Sequence, residues 1–254
     1  MTLGYRLDGP GGAPALALFG SLGSTTNIWE PQLAAFAARS RVVRFDHPGH
    51  GTSPVPDRPV TVADIAASAL AVLDELGVGR VAVCGLSLGG MVAMWLGANA
   101  GERVGRIVLA CTGAKLGTAD AWNERAELVR REGTAAVAAG VRERWFTPAF
   151  RDSPPAQSVI DELLAVPAEG SARGCETVGA FDFRGELGRI GQPVLVVAGA
   201  EDPVSPPEVV GALVGGIPDA ALVTIPHAAH LANVEQPDAF TAAVLSHLDE
   251  RAAA

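Results

Sequence analysis

The sequence predicts an α/β protein: a mostly parallel sheet flanked by helices, with one block of helices inserted into it. Three observations predict this. Short apolar runs without polar alternation recur along the chain, as strands buried on both faces require. Helical patterns separate them, and strand–helix alternation builds βαβ units with parallel strands. Between about Lys115 and Arg189 the alternation stops, and helical patterns follow one another.

The first two strands are read at "ALALF" (Ala15–Phe19) and "RVVRFD" (Arg41–Asp46). A helix follows, opened by Thr61 and Asp64 in capping-box spacing. Ile65, Ala69, Val72, Leu73 and Leu76 continue it at helical spacing, and Gly77 stops it. "RVAVCG" (Arg80–Gly85) and "RIVLAC" (Arg106–Cys111) are the next two strands. The inserted block contains "AWNERAELVRREG", "TAAVAAGVRERWF" and "SVIDELLA", each read as a helix. "PVLVVAG" (Pro193–Gly199) and "ALVTIP" (Ala221–Pro226) then complete six strands. The chain divides into a core of residues 1–114 and 190–254 and a helical lid of residues 115–189. It ends in a short alanine-rich tail.

The chain has 254 residues, 48% hydrophobic and 19% charged, which suits one large globular α/β domain. The net charge of -9 and the absence of any basic run argue against a nucleic-acid partner. A single site needs only one or two local cations, so this balance leaves an anionic substrate open. The N-terminus lacks a cationic segment followed by an apolar core, so no secretory signal is expected. No apolar run reaches the roughly 18 residues of a membrane span. Cys84, Cys111 and Cys175 are odd in number and widely spaced, unlike a disulfide framework or a metal site. Cytoplasmic residence is the expectation. No metal and no organic cofactor is expected.

"VAVCGLSLGGMVAMW" (Val81–Trp95) places Ser87 between an apolar strand and an apolar helix. Gly85-Leu86-Ser87-Leu88-Gly89 is a G-x-S-x-G sequence in the strand–turn–helix context that gives the pattern meaning. A strained turn projects the hydroxyl from the sheet edge. Side chains two positions away would collide with the serine turn, so glycine is used there. The helix N-terminus favours negative charge developing at this point. A plain glycine-rich strand–helix turn is the competing reading.

A serine hydroxyl needs a base. Of five histidines, His47 and His50 lie in the turn "DHPGHG", and His247 is expected on the polar surface of the last helix. His227 and His230 follow the last strand and reach the same sheet edge as Ser87. His230 is favoured, because His227 is close enough to the strand end to pack or cap. The base in turn needs an acid to hold its tautomer. Asp202 closes the strand after the insertion, ahead of Pro203; an ordinary turn aspartate is the alternative. Glu201 should point elsewhere. The order Ser87, Asp202, His230 is that of α/β-hydrolases. Backbone N–H donors for an oxyanion are expected from Leu88, after the nucleophile, and from Leu22 in "FGSLGST".

The chain resembles the α/β-hydrolase fold family, and within it the 3-oxoadipate enol-lactone hydrolases. The resemblance spans essentially the whole chain. It rests on "GSLGSTTNIWEPQ" (Gly20–Gln32), "VVRFDHPGHGTSPVP" (Val42–Pro56), "CGLSLGGMVAMWLG" (Cys84–Gly97) and "AWNERAELVRREG" (Ala121–Gly133). "ERWFTPAF" (Glu143–Phe150), "AGAEDPVSPP" (Ala198–Pro207) and "AAHLANVEQPDAF" (Ala228–Phe240) extend it. The resemblance implies hydrolysis of a small carboxylated lactone to 3-oxoadipate through an acyl-enzyme. Other activities of the fold stay open: a general carboxylesterase, a C–C bond hydrolase or a cofactor-free haloperoxidase. A non-catalytic ligand receptor on the same scaffold is the reading from another class.

A substrate carboxylate calls for an arginine. At about 100° per residue, Val137, Val141 and Arg144 share one helix face, while Arg142 turns away. Arg144 is the first candidate. Arg125, beside Trp122 and Val129, is the second. Trp122 and Trp145 complete the expected substrate-binding set. The alternative for Arg144 is snorkelling, or pairing with Glu124 or Glu127.

Overall fold

A computed structural model of the chain describes residues 2–249. The alanine-rich tail lies outside them. Among these residues one sheet contains β1 (Tyr5–Asp8), β2 (Ala15–Phe19), β3 (Arg41–Phe45), β4 (Val81–Leu86), β5 (Val104–Ala110), β6 (Val194–Gly199) and β7 (Ala220–Ile225). Their order is β1-β3-β2-β4-β5-β6-β7. β1 is antiparallel to β3, and every other pairing is parallel.

The helices are α1 (Glu30–Ala37), α2 (Val62–Glu75), α3 (Leu88–Asn99), α4 (Ala119–Glu132), α5 (Ala135–Trp145), α6 (Pro154–Ala165), α7 (Ala168–Ala180), α8 (Pro207–Gly216), α9 (Ala232–Glu235) and α10 (Pro237–Asp249). Alternate strand residues feed two apolar layers. Leu16 and Leu18 pack in one with Trp29, Phe36 and Phe240. Ala17 and Phe19 pack in the other with Ile65, Met91 and Leu213. Each fully buried Leu or Phe contributes about 1.5–3 kcal/mol, which is why apolar runs without alternation form the central strands. α3 is apolar all round and buried along most of its length, as a helix at the centre of the fold must be.

The α2 cap forms as the spacing predicts. Thr61 Oγ accepts the Asp64 N–H, and the Asp64 carboxylate accepts the Thr61 N–H. Helices α4 to α7 stand between β5 and β6, where the strand rhythm breaks. Arg130 of α4 reaches Glu169 and Glu176 of α7 at 2.8 and 2.7 Å, clamping these two helices together.

Four readings are corrected. β1 is a seventh strand: its four residues are largely exposed and polar, so they give no buried-strand signal. β7 is not buried on both faces, because it is an edge strand with Leu222 exposed. α7 is a fourth inserted helix, hidden in "AEGSARGCETVGA" by three glycines of low helix propensity. His247 is buried rather than at the surface, because it continues the Phe240 and Val244 stripe of α10 at helical spacing.

Candidate active site

Ser87 joins β4 to α3 with φ 56° and ψ -114°, a conformation that costs a non-glycine residue of order 1–3 kcal/mol. The surroundings hold it there. Its N–H donates to Ala110 O at 2.9 Å, and its carbonyl accepts Thr112 Oγ at 2.7 Å. The flanking glycines are required, Gly85 by collision within the turn as expected and Gly89 by the neighbouring strand β2. A Cβ on Gly85 would lie 2.1 Å from Gly89 O, and a Cβ on Gly89 would lie 2.1 Å from Phe19 O. Gly85 thus clears the turn around Ser87, and Gly89 lets α3 close on β2.

His230 lies between the serine and an aspartate. Its Nε2 is 2.9 Å from Ser87 Oγ, and its Nδ1 is 2.9 Å from Asp202 Oδ2. With the proton on Nδ1, the ring donates to the carboxylate and accepts from the hydroxyl. The network assigns this tautomer. All three side chains are buried. Burial alone would raise the Asp202 pKa. Electrostatic attraction to His230 and hydrogen bonds from His230, Ser205 Oγ and the Val204 N–H outweigh it and hold Asp202 below its ordinary value. His227 takes no part. It is exposed, neither packed nor capping, with φ 54°, and its Nδ1 is 4.0 Å from exposed Glu201.

Among the described residues the N–H groups of Leu22 and Leu88 have no internal acceptor. Their neighbours are tied down. Gly89 N–H donates to Gly20 O at 3.0 Å, and Gly23 N–H donates to His50 Nε2 at 3.0 Å. His47 Nε2 donates to Gly20 O at 2.8 Å. Burial, with His50 nearby, pulls the His47 pKa down to about 4, and burial pulls His50 down too, so both rings are neutral at pH 7.

A cavity of about 550 Å³ opens over this constellation. Ser87, His230 and Leu22 line it from the core. Trp122, Arg125, Arg144 and Trp145 line it from the helices above. Arg125 is half-buried, with its guanidinium 5.3 Å over the Trp122 ring and its Nε buried without an acceptor. Burial, with Arg144 close by, lowers its pKa. Arg144 is exposed at the cavity wall. Neither arginine has a carboxylate partner among the described residues; Glu127 pairs with Arg130 instead. Arg142 turns away, onto Arg151 O and Gln157. Burial pushes the Cys84, Cys111 and Cys175 thiols above their usual range, so none is a ready nucleophile. Among the described residues no group of three or more His, Cys, Asp or Glu side chains is placed to hold a metal ion.

Sequence reasoning missed the supporting groups. Ser205 sits three residues after Asp202, within reach of a turn pattern. His47 and His50 are legible as turn residues, but not as the holders of the loop around Leu22. Glu235, which accepts from Thr147 and Ala229, gives no local signal.

A serine at a strand–helix elbow, with an acid and a histidine at later strand ends and helices over the site, defines the hydrolase class of α/β proteins. The chain belongs to the α/β hydrolase family, whose sequence pattern matches residues 18–243. It is 38% identical over 248 residues to 3-oxoadipate enol-lactonase 2 of Acinetobacter baylyi, covering 96% of this chain and 92% of that one. The structure resembles that of a hydrolase from Pseudomonas aeruginosa, with TM-score 0.94, 43% identity, and 98% and 94% of the two chains covered. It also resembles the enol-lactonase from Burkholderia xenovorans, with TM-score 0.94, 36% identity, and 98% and 96% covered.

Proposed function

We propose that this protein is a serine-dependent lactone hydrolase that opens 3-oxoadipate enol-lactone, a small carboxylated lactone, to 3-oxoadipate. One observation carries the reading: Arg125 and Arg144, neither in an ion pair, line the same cavity as Ser87 and His230. A cation kept without a partner beside a nucleophile suits an anionic substrate. The enol-lactonase relatives support the choice of lactone.

Ser87 Oγ attacks the lactone carbonyl while His230 Nε2 takes its proton. Asp202 holds the imidazolium that forms. The oxyanion takes hydrogen bonds from the Leu22 N–H, in the loop after β2, and from the Leu88 N–H, at the N-terminus of α3. Collapse breaks the ring C–O bond, and His230 returns the proton to the enol oxygen. The enol becomes the ketone. Water then attacks the acyl-enzyme, with His230 as base, and frees Ser87 with a second carboxylate on the product. Arg125, the more enclosed arginine, binds the carboxylate already present, and Arg144 stands at the wall beside it. Trp122 and Trp145 shape the cavity.

No metal or cofactor enters this scheme. We place the protein in the cytoplasm, acting on a small molecule rather than on nucleic acid or a membrane. The acidic net charge supports this. Among the described residues no helix is long and apolar enough to cross a membrane. The test is a side-by-side activity screen of the purified protein on 3-oxoadipate enol-lactone and neutral aryl esters. Preference for the lactone supports the reading. Preference for the esters points to a general carboxylesterase, and inactivity on both to a ligand receptor.

A further inference from the structure

The histidine loop ends in "VEQP", and its glutamate has no part in the scheme above. Glu235 closes α9 and is buried. Its Oε1 accepts the Thr147 N–H at 3.1 Å and the Thr147 hydroxyl, and its Oε2 accepts the Ala229 N–H at 2.9 Å. These three donors are uncharged. Thr147 lies 88 positions away, just past the end of lid helix α5. Ala229 is the residue before His230. The residue after it, Leu231, donates its N–H to Trp145 O, the last residue of α5, at 3.0 Å.

His230 is thus held on both sides by the exit of a lid helix. Trp145 of that helix lines the substrate cavity, and Arg144 precedes it. A carboxylate is the group that fits this place. Donors approach both of its oxygens, and a buried N–H left unmade costs about 1–3 kcal/mol. A glutamine offers one acceptor oxygen and turns an NH₂ group toward the other donor.

We propose that Glu235 is a positioning residue. It fastens the His230 loop to the end of α5, so that His230 Nε2 stays in register with Ser87 Oγ only while α5 is seated. Substrate contacts on α5 and the alignment of the base are then mechanically one unit. The proposal rests on the reading of His230 as the base.

The test measures p-nitrophenyl acetate hydrolysis and thermal melting on the full chain. Glu235→Gln should lower kcat by roughly 100-fold, the scale of a misplacement of about 1 Å, with KM little changed. Thr147→Val should lose part of this, and Thr147→Ser should restore it. In a His230→Ala background, neither Glu235→Gln nor Thr147→Val should reduce the residual rate further, because the effect runs through His230. An equal fractional loss in that background overturns the proposal, since the glutamate then serves the fold alone. If Glu235→Gln does not fold, Thr147→Val carries the same comparison. An inactive His230→Ala beside a fully active Glu235→Gln overturns the positioning role and leaves the site reading intact. His230→Ala at wild-type rate overturns the site reading itself.

Discussion

The Gly89 N–H donates to the Gly20 carbonyl oxygen at 3.0 Å, and this bond fastens the Ser87 turn to the loop after β2. Leu88 and Leu22 each lie within two residues of it. The two expected oxyanion donors are therefore spaced by one contact that has no room for a side chain. Gly89→Ala would drive a Cβ to 2.1 Å from Phe19 O. The expected outcome is a loss of roughly 10²–10³ in kcat, the scale for removing one oxyanion donor, together with a lower melting temperature. Steady-state kinetics and calorimetry check it; unchanged kcat contradicts the placement of the two donors.

The choice between the two histidines is decided by a pair of variants. His230→Ala should reduce turnover about as severely as loss of the nucleophile, because such residues act as a unit. His227→Ala should leave it near wild type, since His227 is exposed beside Glu201. Reversal of the two results contradicts the assignment.

Much of this site is readable from sequence because the fold is periodic. Strand ends of a parallel sheet gather at one edge, so Ser87, Asp202 and His230 meet although they are far apart in the chain. The 3.6-residue repeat likewise separates Arg144 from Arg142. What stays hidden has no local period. Glu235 and Thr147 find each other only through tertiary packing. α7 has weak propensity and is stabilised by burial against its neighbours. The roles of Gly85 and Gly89 depend on how closely three elements approach. The burial of His247 is hidden because a polar residue can occupy an apolar stripe.

Acid should weaken the fold through His47. Its imidazole is lowered from 6.5 to about 4 by burial and by His50. An unfolded chain takes up this proton first, so stability rises with pH across that window. The His47 contribution is fully present above about pH 6.5 and is lost as pH falls toward 4, by about 3 kcal/mol in all. His50 acts in the same direction. Urea denaturation at pH 7 and pH 4.5 measures this. His47→Gln should lose less stability between the two pH values than wild type does, and equal losses contradict the account.

Substrate preference should depend on Arg125. Arg125→Ala should lower kcat/KM for the carboxylated lactone by roughly 2–5 kcal/mol in transition-state terms, the range for breaking a buried charge pair. Hydrolysis of a neutral aryl ester should barely change. Arg142→Ala should affect neither, because Arg142 faces Arg151 O and Gln157. Equal loss on both substrates from Arg125→Ala means that the residue supports the lid rather than the substrate.

The most direct test of the central claim is turnover of 3-oxoadipate enol-lactone by wild type and by Ser87→Ala, with circular dichroism of both. The account predicts rapid lactone opening by wild type and an intact fold in the variant. It also predicts a rate loss on the order of 10⁶, the scale of a nucleophile knockout in another serine hydrolase. A folded Ser87→Ala that keeps even a tenth of the wild-type rate contradicts the account.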